Sequence, residues 1–234
     1  MSADDATTIL PGEPPITVHW RRSARARRLS LRVSGLDGKV TLTLPPRLAH
    51  HHGMTFLHER ATWLRRSVAA IPSPCEVTFG SKLPVEGEML RIQPAPQRRI
   101  TIAQGCLLVP QDRPAGRQIE TWLKLRARQR IAALIDALAP RLAAAPRRFG
   151  LRDPRSRWGS CSSAGDLMLS WRLILAPPAV LEYVVAHEMA HLRQMNHSPA
   201  FWAEVARLMP GYAVPRDWLR RQGGSLHRYR FTPA

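Results

Sequence analysis

The stretch AVLEYVVAHEMAHLRQM, residues 179–195, contains the pattern His187-Glu188-Met189-Ala190-His191. It has neither Gly nor Pro and repeats apolar side chains at helical spacing, which predicts a largely buried helix. Positions i and i+4 lie on one helix face, so His187 and His191 can bind one metal ion while Glu188 reaches the metal-bound water. Uncompensated imidazoles and carboxylates are costly to bury, and a metal compensates them. The pattern indicates a metal-dependent hydrolase.

The residues that follow predict a sharp corner. Asn196 tolerates the left-handed conformation that ends helices, and Ser198-Pro199 is a typical start for a new helix. His197 lies between them, where its ring can turn back toward the metal. Glu204 on the next helix is an alternative third ligand, since zinc sites also use two histidines and one carboxylate. The sequence favours His197 and leaves Glu204 open.

Further motifs surround the histidines over residues 155–202. They are Arg157-Trp158-Gly159-Ser160-Cys161, Trp171-Arg172-Leu173, Pro177, Tyr183-Val184-Val185, Asn196-His197-Ser198 and Phe201-Trp202. With the histidine pattern, this run resembles the YgjP-like (DUF45) metal-dependent hydrolases of the zincin group, which are related to the M48, SprT and WLM metallopeptidases. The resemblance extends, with fewer matching residues, over the basic N-terminal hairpin.

The resemblance implies a zincin catalytic fold with Glu188 as general base and with three metal ligands, His187, His191 and His197. In that fold the strand before the metal helix, here residues 165–175, lines the substrate groove, and an extended peptide can pair with such an edge. Two residues depart from the family pattern, Ser170 where Asn is expected and Arg193 where an apolar residue is expected. Neither is a ligand, so the departures concern substrate preference.

These residues predict a zinc-dependent metallopeptidase that cleaves peptide bonds with a zinc-activated water and Glu188 as general base. One alternative is a zinc-dependent hydrolase of nucleotide phosphoanhydrides, in which arginines would bind phosphates. Another is a nucleic-acid-associated protein with a structural metal, although such a site needs no base beside its ligands. The sequence has no Gly-rich phosphate-binding loop, which favours a peptide substrate.

A donor for the oxyanion of the tetrahedral intermediate is also expected. The candidates are cationic or hydroxyl side chains near the motifs, namely Arg157, Arg172, Tyr212 and His227. For the two arginines, an ion pair that holds the strand to the helix is an equal alternative. The sequence does not rank the four.

The formal net charge of +18 raises the question of a nucleic-acid partner. Residues 21–32 contain six Arg and no acid, and a second basic cluster closes the chain with Arg216, Arg220, Arg221, Arg228 and Arg230. The chain has 32 Arg but only 3 Lys, which also fits a composition bias. Association with nucleic acid through this basic surface is therefore an expectation beside the main one, a peptide or protein substrate.

Three observations predict a cytoplasmic protein with no membrane partner. There is no run of about 18 apolar residues that could span a bilayer. The opening residues 1–15 are acidic and proline-containing rather than basic and then apolar, unlike a signal peptide. The scattered thiols Cys75, Cys106 and Cys161 favour reduced cysteines over a disulfide framework.

The pattern of elements predicts an α+β fold with four regions. They are a disordered tail over 1–15, a β-rich N-terminal region over 16–112, a bridging helix over 113–145 and a zincin-like metallopeptidase domain over 146–234.

Within these regions, apolar alternation predicts a hairpin over residues 29–44 with a turn at Asp37-Gly38, and a small sheet over 77–109. Helical periodicity predicts one amphipathic helix over 54–71 and a long helix from Arg117 to Ala139, ended by Pro140.

Overall fold

The computed structural model describes residues 7–35, 38–71 and 73–232, and its helices and strands confirm the α+β class. The chain divides into two compact units, residues 1–73 and 74–234. This division differs from the regions expected from the sequence. The strands of residues 16–112 are divided between the two units, and the long helix expected over 113–145 lies wholly in the second.

In its described residues, the first unit contains one sheet and two helices. Its elements are β1 (Thr7–Leu10), β2 (Ile16–Arg22), β3 (Ser30–Val33), β4 (Val40–Leu44), α1 (His50–Glu59) and α2 (Ala61–Ala69). The sheet order is β1-β2-β4-β3, and the antiparallel pair of β3 and β4 confirms the predicted hairpin. Asp37 of the expected turn lies outside the described residues. Leu42, Leu57 and Leu64 are fully buried in the core of this unit.

Two features of this unit differ from the sequence-based expectation. Residues 7–10, expected to be disordered, form β1, which pairs antiparallel with β2 and buries Leu10; the rest of the expected tail, residues 1–6, lies outside the described residues. The helix expected over 54–71 is interrupted at Arg60, so α1 and α2 are separate. Leu57 and Leu64 are buried on both sides of the interruption, so apolar spacing alone does not reveal it.

The second unit contains three sheets and four helices. Its strands are β5 (Cys75–Glu76), β6 (Lys82–Val85), β7 (Glu88–Ala95), β8 (Thr101–Ala103), β9 (Cys106–Pro110), β10 (Arg148–Arg152), β11 (Gly159–Cys161), β12 (Asp166–Ser170) and β13 (Tyr229–Arg230). Its α-helices are α3 (Ala115–Leu142), α4 (Pro178–Ala190), α5 (Pro199–Leu208) and α6 (Ala213–Gln222), and 3-10 turns cover Trp171–Leu175 and Gly223–Arg228. One apolar core connects them.

The small sheet predicted over residues 77–109 is present with the order β6-β7-β9-β8. The predicted long helix is α3, which packs on α4. It continues past Pro140 to Leu142 and ends at Ala143, which has a left-handed φ of 50°. A proline in the last turn removes one backbone donor without blocking that turn, so Pro140 does not mark the end of the helix.

The strand predicted over residues 165–175 is shorter than expected. It is β12, which ends at Ser170 where the Ser170 hydroxyl accepts a hydrogen bond from the Arg172 N–H. β12 is the central strand of the order β10-β12-β11, so both of its edges are already paired. In the described structure, the unpaired strand edge beside α4 therefore belongs to β11. It does not belong to β12, the strand expected to line the substrate groove.

The helix α4 has buried residues on all sides, as the sequence predicts for this stretch. It ends at Ala190, five residues earlier than the expected end at Met195. All three cysteines are free. Within residues 7–35, 38–71 and 73–232, no helix combines the length and the apolar character needed to cross a membrane.

Candidate metal centre

Three histidine rings meet at the carboxyl end of α4. His187, His191 and His197 each offer one ring nitrogen such that all three atoms lie within 4.8 Å of one another. Nε2 of His187 and Nε2 of His197 are 3.2 Å apart. Three imidazoles in this arrangement match the donor set of a zinc site that keeps its fourth position open.

The early end of α4 brings His197 back toward His187. His191 is the C-cap residue of α4, and the chain turns immediately after it. The Asn196 side chain then accepts a hydrogen bond from the Ser198 N–H, and the Ser198 hydroxyl caps α5 by accepting from the Phe201 N–H. The predicted corner is therefore present, although it begins at His191 rather than after Met195.

The packing of the rings fixes their orientation. Nδ1 of His191 lies 3.0 Å from the carbonyl oxygen of Gln194, which leaves its Nε2 free to bind a metal. Phe201 is fully buried and packs against all three histidine rings, at centroid distances of 4.9, 4.5 and 4.7 Å. The buried Phe201 side chain thus restricts how the three histidine rings can rotate.

The protonation state of His187 suits a metal ligand. Burial, helped by the neighbouring His191, His197 and Arg216, lowers its pKa to about 4. The ring is therefore neutral at pH 7. Its Nδ1 is buried and has no hydrogen-bond partner within the described residues. The Nε2 atoms of His187 and His197, 3.2 Å apart, are well placed to share a cation.

Glu188 lies beside this cluster and is almost completely buried. Only 6% of its surface is exposed, and burial raises its pKa to about 7, an effect that the nearby Arg157 opposes. Its carboxylate packs directly against β11, because a Cβ atom on Gly159 would stand 2.5 Å from Glu188 Oε1. A carboxyl group with a pKa near 7 can accept and return a proton at neutral pH.

Three aromatic side chains, Tyr183, Trp202 and Tyr212, form an aromatic wall next to the histidines. Tyr183 lies one turn before His187, with ring centroids 5.8 Å apart. Trp202 lies 5.8 Å from His187 and 6.0 Å from His197, and it stacks on Tyr212 at 5.6 Å. The guanidinium carbon of Arg216 stands 4.3 Å from the centre of the Trp202 ring.

The other candidates from the sequence fall in different places. Arg157 is near enough to influence Glu188 and has no ion-pair partner in the described chain. Tyr212 belongs to the aromatic wall. Every guanidinium nitrogen of Arg172 is occupied, by Asp153 and by carbonyl oxygens of the C-terminal segment. Arg172 thus forms an ion pair, although its partner Asp153 follows β10 and does not lie on a helix as the alternative role required.

Two further candidates do not join the histidine cluster. His227 packs against Trp158, with ring centroids 5.0 Å apart and ring planes tilted by 36°. Glu204, the alternative third ligand, pairs with Arg207 and is absent from the cluster of possible metal ligands in the described residues. The geometry thus supports His197 as the third ligand.

Three residues near the centre were not among the sequence-based candidates. Tyr183 had a usable signal, because it precedes His187 by four residues and shares its helix face. Arg216 was counted only as part of a basic cluster. Gly159 gives no sequence signal for its role, because its contact with Glu188 joins two elements that are distant in the chain.

The fold brings together three histidines that could hold a metal ion, and comparison with known proteins gives the family. The YgjP-like family model, described as a metallopeptidase domain, matches residues 27–222. The chain therefore belongs to the YgjP-like family and is a metallopeptidase-type hydrolase. This confirms the resemblance found in the sequence.

Among solved structures, the crystal structure of the metallopeptidase zymogen abylysin from Pyrococcus abyssi is similar to part of the chain. The identity is 22%, the TM-score is 0.36, and the match covers 40% of this chain and 92% of that one. A likeness at this TM-score carries no argument about function. No curated protein sequence matches the chain.

Proposed function

We propose that this protein is a zinc-dependent metallopeptidase that hydrolyses peptide bonds. The metal ligands are His187, His191 and His197, and Glu188 is the general base. One observation carries the proposal, namely that three ring nitrogens lie within 4.8 Å of one another beside a buried carboxylate. A purely structural metal site would not need that carboxylate.

Different residues of the chain have different roles in the proposed reaction. A zinc ion bound here would supply a water of lowered pKa and would polarise the carbonyl group of the substrate. The carboxylate of Glu188 takes the proton from the water and returns it to the leaving amine, which its burial and its pKa of about 7 favour. Arg157 and Tyr212 stay candidates for stabilising the oxyanion.

The strand β11 supports a peptide as substrate. Its inner edge pairs with β12, and it lies at the outside of its sheet. An extended peptide that adds to the outer edge would pass close to Glu188, because Gly159 of β11 touches that side chain. Main-chain hydrogen bonds would then hold the peptide in register whatever its side chains are.

The direct test uses zinc-loaded protein, unstructured peptides of mixed sequence and a panel of nucleoside triphosphates. Peptide cleavage, detected as new amino termini by mass spectrometry, is expected for the native protein. In Glu188→Gln the rate should fall by a factor of about 100 to 10,000, the usual contribution of a general base, while zinc content stays the same. Equal activity in the variant refutes the role of Glu188, and hydrolysis of nucleotides alone reassigns the substrate.

Association with nucleic acid is a second proposal, and it rests on a basic hollow in the second unit. The hollow has a volume of about 900 Å³ and places four arginines around Trp122, namely Arg98, Arg99, Arg113 and Arg117. Trp122 is partly buried, and arginines around an accessible aromatic ring are typical of surfaces that bind single strands.

Binding of a labelled single-stranded oligonucleotide, followed by anisotropy, tests this second proposal. The triple variant R98E/R99E/R117E should lose far more affinity than R25E/R27E/R28E, which changes the net charge equally. Equal losses would show that binding depends on charge alone and not on the hollow.

A further inference from the structure

The Arg216 guanidinium packs on an aromatic ring near the histidine cluster. It lies in the first turn of α6, with its guanidinium carbon 4.3 Å from the centre of the Trp202 ring. The Trp202 ring is in turn 5.8 Å from the ring of His187. These two distances limit the separation of the guanidinium and the His187 ring to about 10 Å, which an extended peptide covers in roughly three residues.

Among the residues that the structure describes, this guanidinium has no acidic partner. The other arginines of α6, Arg220 and Arg221, each lie 2.8 Å from Asp217. Glu204 on α5 pairs with Arg207 instead. Within the described residues, the guanidinium of Arg216 makes neither an ion pair nor a hydrogen bond, and it packs on the Trp202 ring. A guanidinium that is positioned by an aromatic face and lacks a counter-ion is available to bind an anion.

The positive charge of Arg216 lies near the histidine cluster. Its guanidinium lies over the Trp202 ring, whose centre is 5.8 Å from that of His187 and 6.0 Å from that of His197. Arg157, two residues before Gly159 of β11, is also without an acidic partner in the described chain. The surroundings of the histidine cluster are therefore positively charged and favour an anionic group on the substrate.

We propose that the site selects peptides that carry an acidic side chain close to the bond to be cleaved, and that Arg216, positioned by Trp202, binds this carboxylate. The inference rests on the proposed peptidase function and adds a substrate class to it. A guanidinium binds a carboxylate through two parallel hydrogen bonds, which gives direction as well as attraction. A peptide fits better than a nucleic acid, because Arg216 offers a single cation beside the histidine cluster and not a row of them.

The experiment compares neutral nine-residue peptides in which one position at a time is either Glu or Gln. Binding of each labelled peptide is measured by anisotropy on zinc-loaded Glu188→Gln protein, so that no turnover is required. At two or three positions from the metal-proximal residue, we expect the Glu peptide to bind about 10-fold more tightly than its Gln partner. Adding Arg216→Gln should reduce this preference to about one, and Arg216→Lys should restore part of it.

Arg220→Gln is the matched control. It removes the same charge from the same helix, but Arg220 is already paired with Asp217. The preference for Glu should therefore survive in this variant. An equal loss in Arg220→Gln and Arg216→Gln, or no difference between Glu and Gln peptides in the parent protein, overturns the inference. So does an oligonucleotide that competes through Arg216 while the two peptides bind alike.

The outcomes separate this inference from the proposed function. If Arg216 confers a preference for acidic peptides but the native protein cleaves none of them, the peptidase proposal fails and the binding site stands. If the native protein cleaves Glu and Gln peptides at the same rate and binds them equally, the peptidase proposal stands and the role of Arg216 fails.

Discussion

Two polar clusters in the second unit have opposite characters. Around Arg172, each guanidinium nitrogen has an acceptor, and the side chain is only 12% exposed. Around His187, the polar groups are buried but lack hydrogen-bond partners. His187 Nδ1 has no such partner within the described residues, and Glu188 is only 6% exposed to solvent. A satisfied cluster stabilises the fold, whereas an unsatisfied one needs a ligand to complete it. Both contain residues that the sequence marked as functional.

The same contrast holds for two carboxylates near the site. Asp166 accepts hydrogen bonds from Arg147 and Arg148, and these hold its pKa well below the usual value. Burial raises the pKa of Glu188 to about 7. A paired carboxylate serves stability, and an unpaired buried one is suited to proton transfer. The predictions below test this difference.

The largest effect is expected on metal binding when His197 is removed. Loss of an outer partner of a metal ligand costs roughly 10–100-fold in affinity, so loss of a ligand should cost more. His197→Ala should therefore lose its zinc during dialysis, as measured by elemental analysis. Glu204→Ala, the control, should keep it. The reverse pattern would make Glu204 the third ligand.

The next effect concerns Gly159, which positions Glu188. A methyl group at Gly159 would stand 2.5 Å from Glu188 Oε1, so the carboxylate must move in Gly159→Ala. A misplacement of about 1 Å can lower a rate by about 100-fold, and we expect kcat to fall by that order while zinc content and KM change little. Gly150→Ala on β10 is the control, because its new methyl group meets no atom within 4 Å. Similar losses in both variants would contradict the positioning role.

Arg172→Ala should change stability and leave metal binding intact. The substitution leaves Asp153 unpaired and removes the hydrogen bonds to the carbonyl oxygens of Leu226 and Tyr229. Arg172 is 12% exposed but Asp153 is 41% exposed, so the loss should be smaller than for a fully buried pair, about 1.5–3 kcal/mol of unfolding free energy. Chemical denaturation measures this loss, and zinc retention measures the site. A variant that stays stable and loses zinc would place Arg172 in the metal centre.

The smallest effect is a pH dependence of stability through Asp166. Because its pKa is lower in the folded protein, its contribution is present above its unfolded pKa and is lost as pH falls toward the folded value. Asp166→Asn should be less stable than the native protein at pH 7, and the gap should narrow as the pH drops below about 4. Denaturation curves at both pH values check this. A gap that widens in acid would contradict the pairing with Arg147 and Arg148.

Much of the metal centre could be predicted from the sequence, because its spacing is local. The i, i+4 relation of His187 and His191 and the capping signals at Ser198 require only helix geometry, and the structure brings His197 to the same cluster. Predictions about single elements also hold where they depend on local alternation, as in the hairpin of β3 and β4.

Tertiary contacts decided the rest. The sequence by itself determined the family, the pair His187 and His191 and the helix that carries both up to His191, because these depend on residue type and on spacing along one chain segment. The order of strands, which left the open edge to β11 and not to β12, depends on pairing between distant segments. So do the contact of Gly159 with Glu188, the satisfied state of Arg172 and the free guanidinium of Arg216. Such contacts arise only when the whole unit packs, since local sequence does not specify which distant groups will meet.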